Sequence, residues 1–431
     1  MMLNLRIIST ESIKPSSPTP ERQRTMKLCF MDQMVSTTYI PLIFFYTMKE
    51  EEPHSQRLKQ SLAHILTSFY PLAGRIQYAQ ETGEIWVECN DEGVEFKEAQ
   101  VEGDLSLFLE RPPINEIKKL LPCEPLSGGA TTLLVQANWF KCGGLALGIC
   151  MSHMVGDMAS LADLMNCWAR VSRSSDNKKL SILAPRFDWR SLFSPNPLNL
   201  SFEPPSLAIQ APPLTKVFIF QREQVEALRD NGRETSNPRP TSVGAVSALL
   251  WRCLIKARYR KTGKDGTWHA VYAVNIRTRM EPQAPDGSFG NLSMGAHCLI
   301  HDPIESATPP SRRQLESCLR MGIQELSCEF LKKVQESPHI LEEMIGSITD
   351  RASKGYAFGI SSYCKFPLYE SDFGWGKPDW VSSVGGFITG VAFLFDDPSE
   401  NGIQAWVNLG EEEMAHFECD PELLAFVSKQ M

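Results

Sequence analysis

Residues 142–160 read CGGLALGICMSHMVGDMAS, and this stretch decides how the chain folds. A double glycine opens the apolar run Leu145–Met151, which has the length and composition of a buried β-strand. From Ser160 to Ser172, apolar residues recur at i, i+3 and i+4, so a helix is predicted there. His153 and Asp157 therefore lie between a predicted strand and a predicted helix, where a side chain can project into a cleft.

Outward from this stretch, helix-like and strand-like patterns alternate along the whole chain. Helical spacing occurs in His54–Phe69, Ser242–Tyr259, Arg312–Gln335 and Pro421–Lys429. Strand patterns occur in Ile85–Glu88, Ala130–Asn138, Thr215–Phe220, His269–Asn275 and Gly386–Phe395. Interleaved helices and strands predict an α/β fold with mixed sheets.

The length of the chain predicts more than one domain. At roughly 150 residues per domain, 431 residues and 48.4 kDa correspond to two or three domains. Ala184–Pro213 is rich in Pro, Ser and Asn, and has little periodicity, which is typical of a linker. The sequence thus predicts an N-terminal domain over residues 1–183, a linker over 184–213 and a C-terminal domain over 214–431.

Composition and charge exclude several classes of protein. With 42% hydrophobic and 22% charged residues, the chain is typical of globular proteins rather than of disordered or fibrous ones. The net charge of −8 argues against a nucleic-acid-binding protein, although a local basic patch can still hold a small anionic ligand.

The termini and cysteines indicate a cellular compartment. The first 24 residues lack a signal-peptide apolar core, and no segment has the ~18 apolar residues of a membrane span. The twelve cysteines are scattered without a CxxC pair, which favours reduced, mostly buried thiols over disulfides or a zinc site. We therefore expect a cytoplasmic protein without a metal centre.

Several catalytic motifs are missing from the sequence. It contains no GxSxG, GxxxxGK[ST], GxGxxG or HExxH. His297 and His301 lie in HCLIH, an apolar segment that fits a strand better than a metal pair. The HxxxD pattern occurs at His153–Asp157 and again at His416–Asp420, where the acidic context favours a solvated or capping role. From its context alone, His153 fits either catalysis or a satisfied interior histidine.

A series of motifs resolves this choice by resemblance to a known family. They are SSPTP (Ser16–Pro20), Met31–Gln33, YPLAGR (Tyr70–Arg75), CGG with HxxxD (Cys142–Asp157), VNIRTRM (Val274–Met280), Gly290–Asn291 and YESDFGWGKP (Tyr369–Pro378). In this order and over nearly the whole chain, they resemble the plant BAHD acyl-CoA-dependent acyltransferases, in particular the vinorine synthase-like clade. DFGWG is the most specific of these motifs.

The resemblance implies a fold and a site. The implied fold has two chloramphenicol-acetyltransferase-like domains, joined by a long crossover loop, with a tunnel between them and His153 near its middle. The N-terminal domain would carry HxxxD, and the C-terminal domain would carry DFGWG. Two departures from the family pattern are Met158, where many members have Gly after the motif aspartate, and Tyr363, where Trp is frequent.

The resemblance also implies a mechanism without a covalent enzyme intermediate. His153 would act as general base, taking the proton of an acceptor hydroxyl that attacks the thioester directly. Asp157 would have a structural role, paired with Arg277, although at i+4 it could instead orient the imidazole as in a catalytic triad. The DFGWG residues Asp372, Gly374, Trp375 and Gly376 would form a supporting turn rather than a catalytic loop.

Candidate coenzyme A contacts follow from the phosphates that the coenzyme carries, and candidate acceptor contacts follow from the same resemblance. Thr241 and Ser242, at a predicted helix start, and Lys256 and Arg258, further along that helix, are candidate coenzyme A ligands. A solvated helix end explains the two basic residues equally well. Candidate acceptor-pocket residues, each with core packing as the alternative, are Ser36, Thr38, Tyr39, Ser362 and Tyr363.

The sequence therefore predicts a monomeric, cytoplasmic O-acyltransferase without a tightly bound cofactor. The donor would be acetyl-CoA, and the acceptor a hydroxyl of a plant terpenoid or alkaloid. The alternatives are a hydroxycinnamoyl, benzoyl or N-acyltransferase of the same fold, and a non-catalytic acyl-CoA-binding relative.

Overall fold

The computed structural model describes most of the chain. The described residues are 3–35, 37–48, 54–174, 184–193, 213–230, 238–262, 267–300, 309–337, 339–341, 355–384, 388–398 and 402–431. Most of the predicted linker, residues 194–212, lies outside them.

The described elements alternate between strands and helices, which confirms the mixed α/β class. The strands are β1 (Leu5–Ile13), β2 (Thr25–Lys27), β3 (Tyr39–Tyr46), β4 (Arg75–Tyr78), β5 (Ile85–Glu88), β6 (Val94–Val101), β7 (Leu133–Phe140), β8 (Leu145–Ser152), β9 (Leu214–Phe220), β10 (Thr267–Asn275), β11 (Ser293–Ile300), β12 (Gly355–Ser362), β13 (Trp380–Ser382), β14 (Val391–Asp397), β15 (Gly402–Leu409) and β16 (Lys429–Gln430). The helices are α1 (Phe30–Gln33), α2 (Ser55–Leu66), α3 (Leu105–Glu110), α4 (Met158–Arg173), α5 (Arg222–Asp230), α6 (Ser242–Thr262), α7 (Arg312–Glu325), α8 (Cys328–Glu336), α9 (Glu411–Glu418) and α10 (Pro421–Leu424).

The chain forms two compact units. The first comprises Met1–Ser206, Pro282–Leu292 and Phe366–Val384, and the second comprises Leu207–Glu281, Ser293–Lys365 and Gly385–Met431. This differs from the linear division predicted from the sequence, since two C-terminal segments, one of them carrying DFGWG, belong to the first unit. The physical reason for the later segment is strand pairing, because β13 hydrogen-bonds antiparallel to β3.

A six-stranded sheet forms the centre of the first unit, in the order β1-β6-β7-β8-β3-β13. Neighbouring strands are antiparallel except β6 and β7. Every residue of β3 and β8 is buried, as expected for adjacent strands deep within a sheet. A smaller sheet has the order β2-β5-β4. The candidate catalytic loop therefore follows β8, a fully buried strand that is paired with β7 on one side and with β3 on the other.

A seven-stranded sheet forms the centre of the second unit, in the order β11-β10-β12-β14-β15-β9-β16. The pairs β10–β12 and β12–β14 are parallel, and the remaining pairs are antiparallel. The long helix α6 buries Leu249, Trp251 and Leu254 in the core of this unit. Residues 245–251 of this helix are all buried, so it is enclosed by the core on more than one face.

Two further expectations concern the cysteines and the membrane. All twelve cysteines are free thiols, and Cys142 and Cys419 are exposed. Among the described residues, no helix combines the length and the apolar character that crossing a membrane requires.

Candidate active site

His153 occupies the first position of the loop between β8 and α4. β8 ends at Ser152, one residue beyond the predicted strand, and α4 begins at Met158, two residues before the predicted helix. The His153 N–H donates to the carbonyl oxygen of Thr38 at 2.9 Å. Tyr39, the first residue of β3, pairs with Ser152 across the ladder. The predicted acceptor-side residues Thr38 and Tyr39 thus lie next to the candidate base.

The side chain of Asn291 holds His153 at two points. Asn291 Oδ1 lies 3.2 Å from His153 Nδ1, and Asn291 Nδ2 donates to the His153 carbonyl oxygen at 2.7 Å. Asn291 is fully buried. The sequence placed it in a family motif without a role, and no local pattern connects it to a histidine 138 positions earlier.

The surroundings of His153 lower its basicity. Burial disfavours the charged imidazolium and lowers the pKa of His153 below its ordinary value of 6.5. A backbone hydrogen bond, the charges of Asp157 and Asp32 and the contact with Asn291 oppose this shift without reversing it. The imidazole is therefore neutral at pH 7, as a general base must be.

The Asp157 carboxylate caps α4. Its Oδ1 accepts from Ser160 N at 3.0 Å and its Oδ2 accepts from Leu292 N at 3.0 Å. Both contacts are backbone contacts, which fits a role in shaping the loop. The pairing of Asp157 with Arg277 stays a prediction, and the Arg277 Nη1 donates to Asn275 Oδ1 at 3.3 Å.

The DFGWG segment forms a tight turn around its aspartate. Asp372 Oδ1 accepts from Gly374 N at 2.8 Å and from Gly376 N at 3.0 Å, and Asp372 Oδ2 pairs with Arg173 at 3.1 Å. Both glycines have a positive φ, of 106° and 110°, which other residues rarely adopt. Burial alone would raise the pKa of Asp372, but these hydrogen bonds and Arg173 outweigh it and lower that pKa.

The aromatic residues of the turn pack within the first unit. Phe373 is fully buried, with ring contacts to Tyr46 at 6.0 Å and Trp168 at 5.1 Å. Trp375 stacks on His54 at 5.1 Å. These contacts support the predicted structural role of DFGWG, which stays a prediction.

Of the two candidate coenzyme ligands at the start of α6, Thr241 caps the helix. Thr241 Oγ1 accepts from Gly244 N at 3.0 Å, so this hydroxyl satisfies one of the free N–H groups at the helix start. Ser242 is the first residue of the helix. A phosphate or pantetheine contact at this position stays a prediction.

The two basic candidates on α6 have acidic partners. Lys256 pairs with Asp420 at 3.1 Å and with Glu422 at 2.6 Å. Arg258 pairs with Glu413 at 3.2 Å and is buried. These contacts explain both residues without a ligand, so their coenzyme role stays a prediction with a structural alternative.

The candidate acceptor residues have different surroundings. Ser36 lies outside the described residues. The Tyr39 hydroxyl donates to the Thr131 carbonyl oxygen at 3.1 Å, and burial raises the pKa of Tyr39 to about 12. In the second unit, Tyr363 follows Ser362 at the end of β12, and its ring stacks on Phe393 at 5.9 Å. Core packing accounts for these contacts as well as a role in an acceptor pocket does.

The other histidine patterns have structural surroundings where the structure describes them. His269 Nε2 lies 3.1 Å from His297 Nδ1, and burial together with His269 lowers the pKa of His297 to about 4. His301 lies outside the described residues. His416 is in the last turn of α9, and Asp420 caps α10. Within the described ranges, no group of three or more His, Cys, Asp or Glu side chains is arranged to hold a metal ion.

Comparisons with known proteins cover nearly the whole chain. The Transferase family matches residues 3–424. Limonoid 21-O-acetyltransferase from Melia azedarach is 34% identical over 433 residues, 99% of each chain. Stemmadenine O-acetyltransferase from Catharanthus roseus is 32% identical over 434 residues, 97% of each chain.

Solved structures show the same fold. The crystal structure of vinorine synthase has a TM-score of 0.83 with 30% identity and covers 98% of each chain. TRI101 of F. graminearum, complexed with coenzyme A and deoxynivalenol, has a TM-score of 0.76 at 16% identity, over 94% of this chain and 99% of that one.

Proposed function

Because the chain belongs to the BAHD family of acyl-CoA-dependent acyltransferases, we propose that it acetylates a hydroxyl of a plant specialised metabolite with acetyl-CoA. The acceptor class is a terpenoid or an alkaloid, since the relatives include limonoid and stemmadenine O-acetyltransferases. We expect a monomeric enzyme of the cytoplasm.

The observation that carries the proposal is the environment of His153. Its backbone N–H donates to Thr38, its carbonyl oxygen accepts from Asn291, and its Nδ1 lies 3.2 Å from Asn291 Oδ1. Its pKa is lowered by burial, so a neutral imidazole is available at pH 7. An alcohol is too weak an acid to ionise at this pH, and a positioned neutral histidine is the base that can accept its proton.

The reaction proceeds in one ternary complex. His153 takes the hydroxyl proton while the acceptor oxygen forms a bond to the thioester carbonyl carbon. The tetrahedral intermediate then breaks its C–S bond and expels the thiolate of coenzyme A. The imidazolium returns its proton to that thiolate, so the products are the acetate ester, coenzyme A and neutral His153.

The test is product analysis of the purified chain. We incubate it with acetyl-CoA and a panel of terpenoid and alkaloid alcohols, and measure by mass spectrometry whether one acetyl group is added. His153→Ala is expected to lower kcat by about 10²–10⁴-fold. His416→Ala removes the histidine of the other HxxxD pattern and serves as the matched control, with activity unchanged.

Other outcomes would contradict specific parts of the proposal. Turnover of a longer acyl-CoA but not of acetyl-CoA would contradict the donor assignment. A product resistant to mild base would be an amide and would contradict O-acylation. Coenzyme A binding without turnover of any alcohol would favour a non-catalytic relative.

A further inference from the structure

A buried ion pair between Asp32 and Arg190 lies one side chain away from His153. Arg190 Nε donates to Asp32 Oδ2 at 2.7 Å, and Arg190 Nη2 donates to Asp32 Oδ1 at 3.3 Å. The Asp32 side chain has no exposed surface and that of Arg190 is 7% exposed. A bidentate pair at this depth has a fixed geometry, and its charges are only weakly screened by solvent.

We propose that this ion pair positions the catalytic base: the Asp32 carboxylate fixes the orientation of the Asn291 amide, which in turn keeps the proton of neutral His153 on Nδ1. Asp32 and Arg190 are positioning residues in this proposal, since both act on the imidazole through the Asn291 amide. The inference rests on the proposed role of His153 as general base.

The first step is the orientation of the Asn291 amide. Its Nδ2 lies 3.1 Å from Asp32 Oδ1 and 2.7 Å from the His153 carbonyl oxygen. An ionised carboxylate and a carbonyl oxygen only accept hydrogen bonds, so the NH₂ group must face both of them. The amide oxygen Oδ1 is then left for the imidazole, as the structure has it.

The second step is the tautomer of His153. Asn291 Oδ1 lies 3.2 Å from Nδ1, and an amide oxygen can only accept. Nδ1 must therefore carry the proton of the neutral ring, which leaves the lone pair on Nε2. Nε2 is thus the atom that accepts the hydroxyl proton.

The third step concerns what Asp32 presents to the Asn291 amide. Both carboxylate oxygens of Asp32 accept from Arg190, and Oδ2 also accepts from Cys29 N at 3.2 Å. A carboxylate paired with a guanidinium offers only acceptor atoms to its other neighbours. The permanent positive charge of Arg190 is therefore the partner of the acceptor on which the orientation of Asn291 depends.

Arg190 also ties together the two segments that carry the site. Its Nη2 donates to the Val155 carbonyl oxygen at 3.1 Å, in the loop after His153. Its Nη1 donates to the Phe289 carbonyl oxygen at 3.0 Å, two residues before Asn291. One guanidinium group thus sets the spacing between the loop of the base and the segment of its positioning amide.

The direct test is the tautomer of His153 in the folded wild-type chain without substrate. We record ¹⁵N spectra of the protein labelled at its histidines, above the pKa of His153, and assign His153 by its loss in His153→Ala. The expected result is a protonated Nδ1 and an unprotonated Nε2. A proton on Nε2 would overturn the proposal, whether or not any substrate is turned over.

Variants test the same relay, the contacts from Asp32 through Asn291 to His153, by kinetics. Asp32→Asn offers the Asn291 amide an acceptor or a donor, so the amide can reverse and the proton can move to Nε2. We expect kcat to fall by about 10²–10⁴-fold with the KM for acetyl-CoA unchanged, and Nε2 to appear protonated in the spectrum. A folded Asp32→Asn protein with wild-type kcat and the wild-type tautomer would contradict the relay.

Asp32→Asn leaves the buried Arg190 without its carboxylate partner and can therefore fail to fold. Two further variants keep the test decisive in that case. Asn291→Ala retains the ion pair and removes only the relay; by analogy with ligands that orient metal-bound histidines, we expect a loss of about 10–100-fold in kcat. Unchanged kcat in Asn291→Ala would overturn the proposal. Asp188→Asn is the matched control, since it breaks the Asp188–Arg186 pair, whose side chains are 65% and 48% exposed, and is expected to leave kcat and the tautomer unchanged.

Discussion

Replacing Asp157 with alanine separates a structural role for this residue from a catalytic one. The substitution removes the cap of α4, in which Asp157 Oδ1 accepts from Ser160 N at 3.0 Å. Loss of an aspartate cap costs about 1 kcal/mol of unfolding free energy. It also leaves the N–H of Leu292 without its acceptor at 3.0 Å, in a residue with no exposed surface.

The two losses together give the expected magnitude. An unsatisfied buried donor costs about 1–3 kcal/mol, so Asp157→Ala should lower the unfolding free energy by about 2–4 kcal/mol in urea titrations. Asp104→Ala is the matched control, because Asp104 caps α3 with a 2.7 Å bond from Ser106 N at an exposed position. It should cost only about 1 kcal/mol and leave kcat unchanged.

Kinetics at a temperature where the variant is folded complete the test. His153 is still present in Asp157→Ala, so kcat should fall less than in His153→Ala, for which we expect about 10²–10⁴-fold. If folded Asp157→Ala lost as much kcat as His153→Ala, Asp157 would be a catalytic residue and the structural assignment would be wrong. An unfolding free energy equal to that of the wild type would refute the capping argument.

Three more predictions concern pH, Gly290, and the pair Gly374 and Gly376. Burial lowers the pKa of His153 below 6.5. We therefore expect kcat/KM to rise with pH through the pKa of His153 and to level off by about pH 7, where the ring is neutral. A kcat/KM that still rises above pH 7 would contradict the assignment of His153 as the base. Gly290→Ala should reduce both stability and kcat, since Gly290 has a φ of 147° and an added Cβ would collide with the ring of Trp189; a wild-type melting temperature would argue against this. Gly374→Ala should lower the melting temperature, because Gly374 has a φ of 106° and an added Cβ would meet the guanidinium of Arg57. Gly376 also has a positive φ, but an added Cβ there would meet no neighbouring atom, so Gly376→Ala should lower the melting temperature less.

Much of the site was predictable from the sequence because its signals are local. The apolar run before His153 and the helical spacing after it predicted β8 and α4 close to their observed bounds. The motif glycines Gly374 and Gly376 likewise indicated a turn, since positive φ is a property of single residues. Such features need only neighbouring residues.

Other features were not predictable in this way. The linear domain division missed the two segments that join the first unit, because strand pairing between β13 and β3 connects residues far apart in the chain. Lys256 and Arg258 were candidate phosphate ligands in the sequence, and only the fold revealed their carboxylate partners on or beside α9 and α10.

The sequence by itself determined the α/β class, the family and the identity of the candidate base, since each depends on local periodicity or on short motifs. The tertiary structure alone decided what surrounds that base. Asn291, Asp32 and Arg190 are distant in sequence from His153 and from one another, and hydrogen bonds between them form only when their segments are brought together. Burial makes these hydrogen bonds determine the orientation of each side chain, because a polar group removed from water must find its partner within the protein.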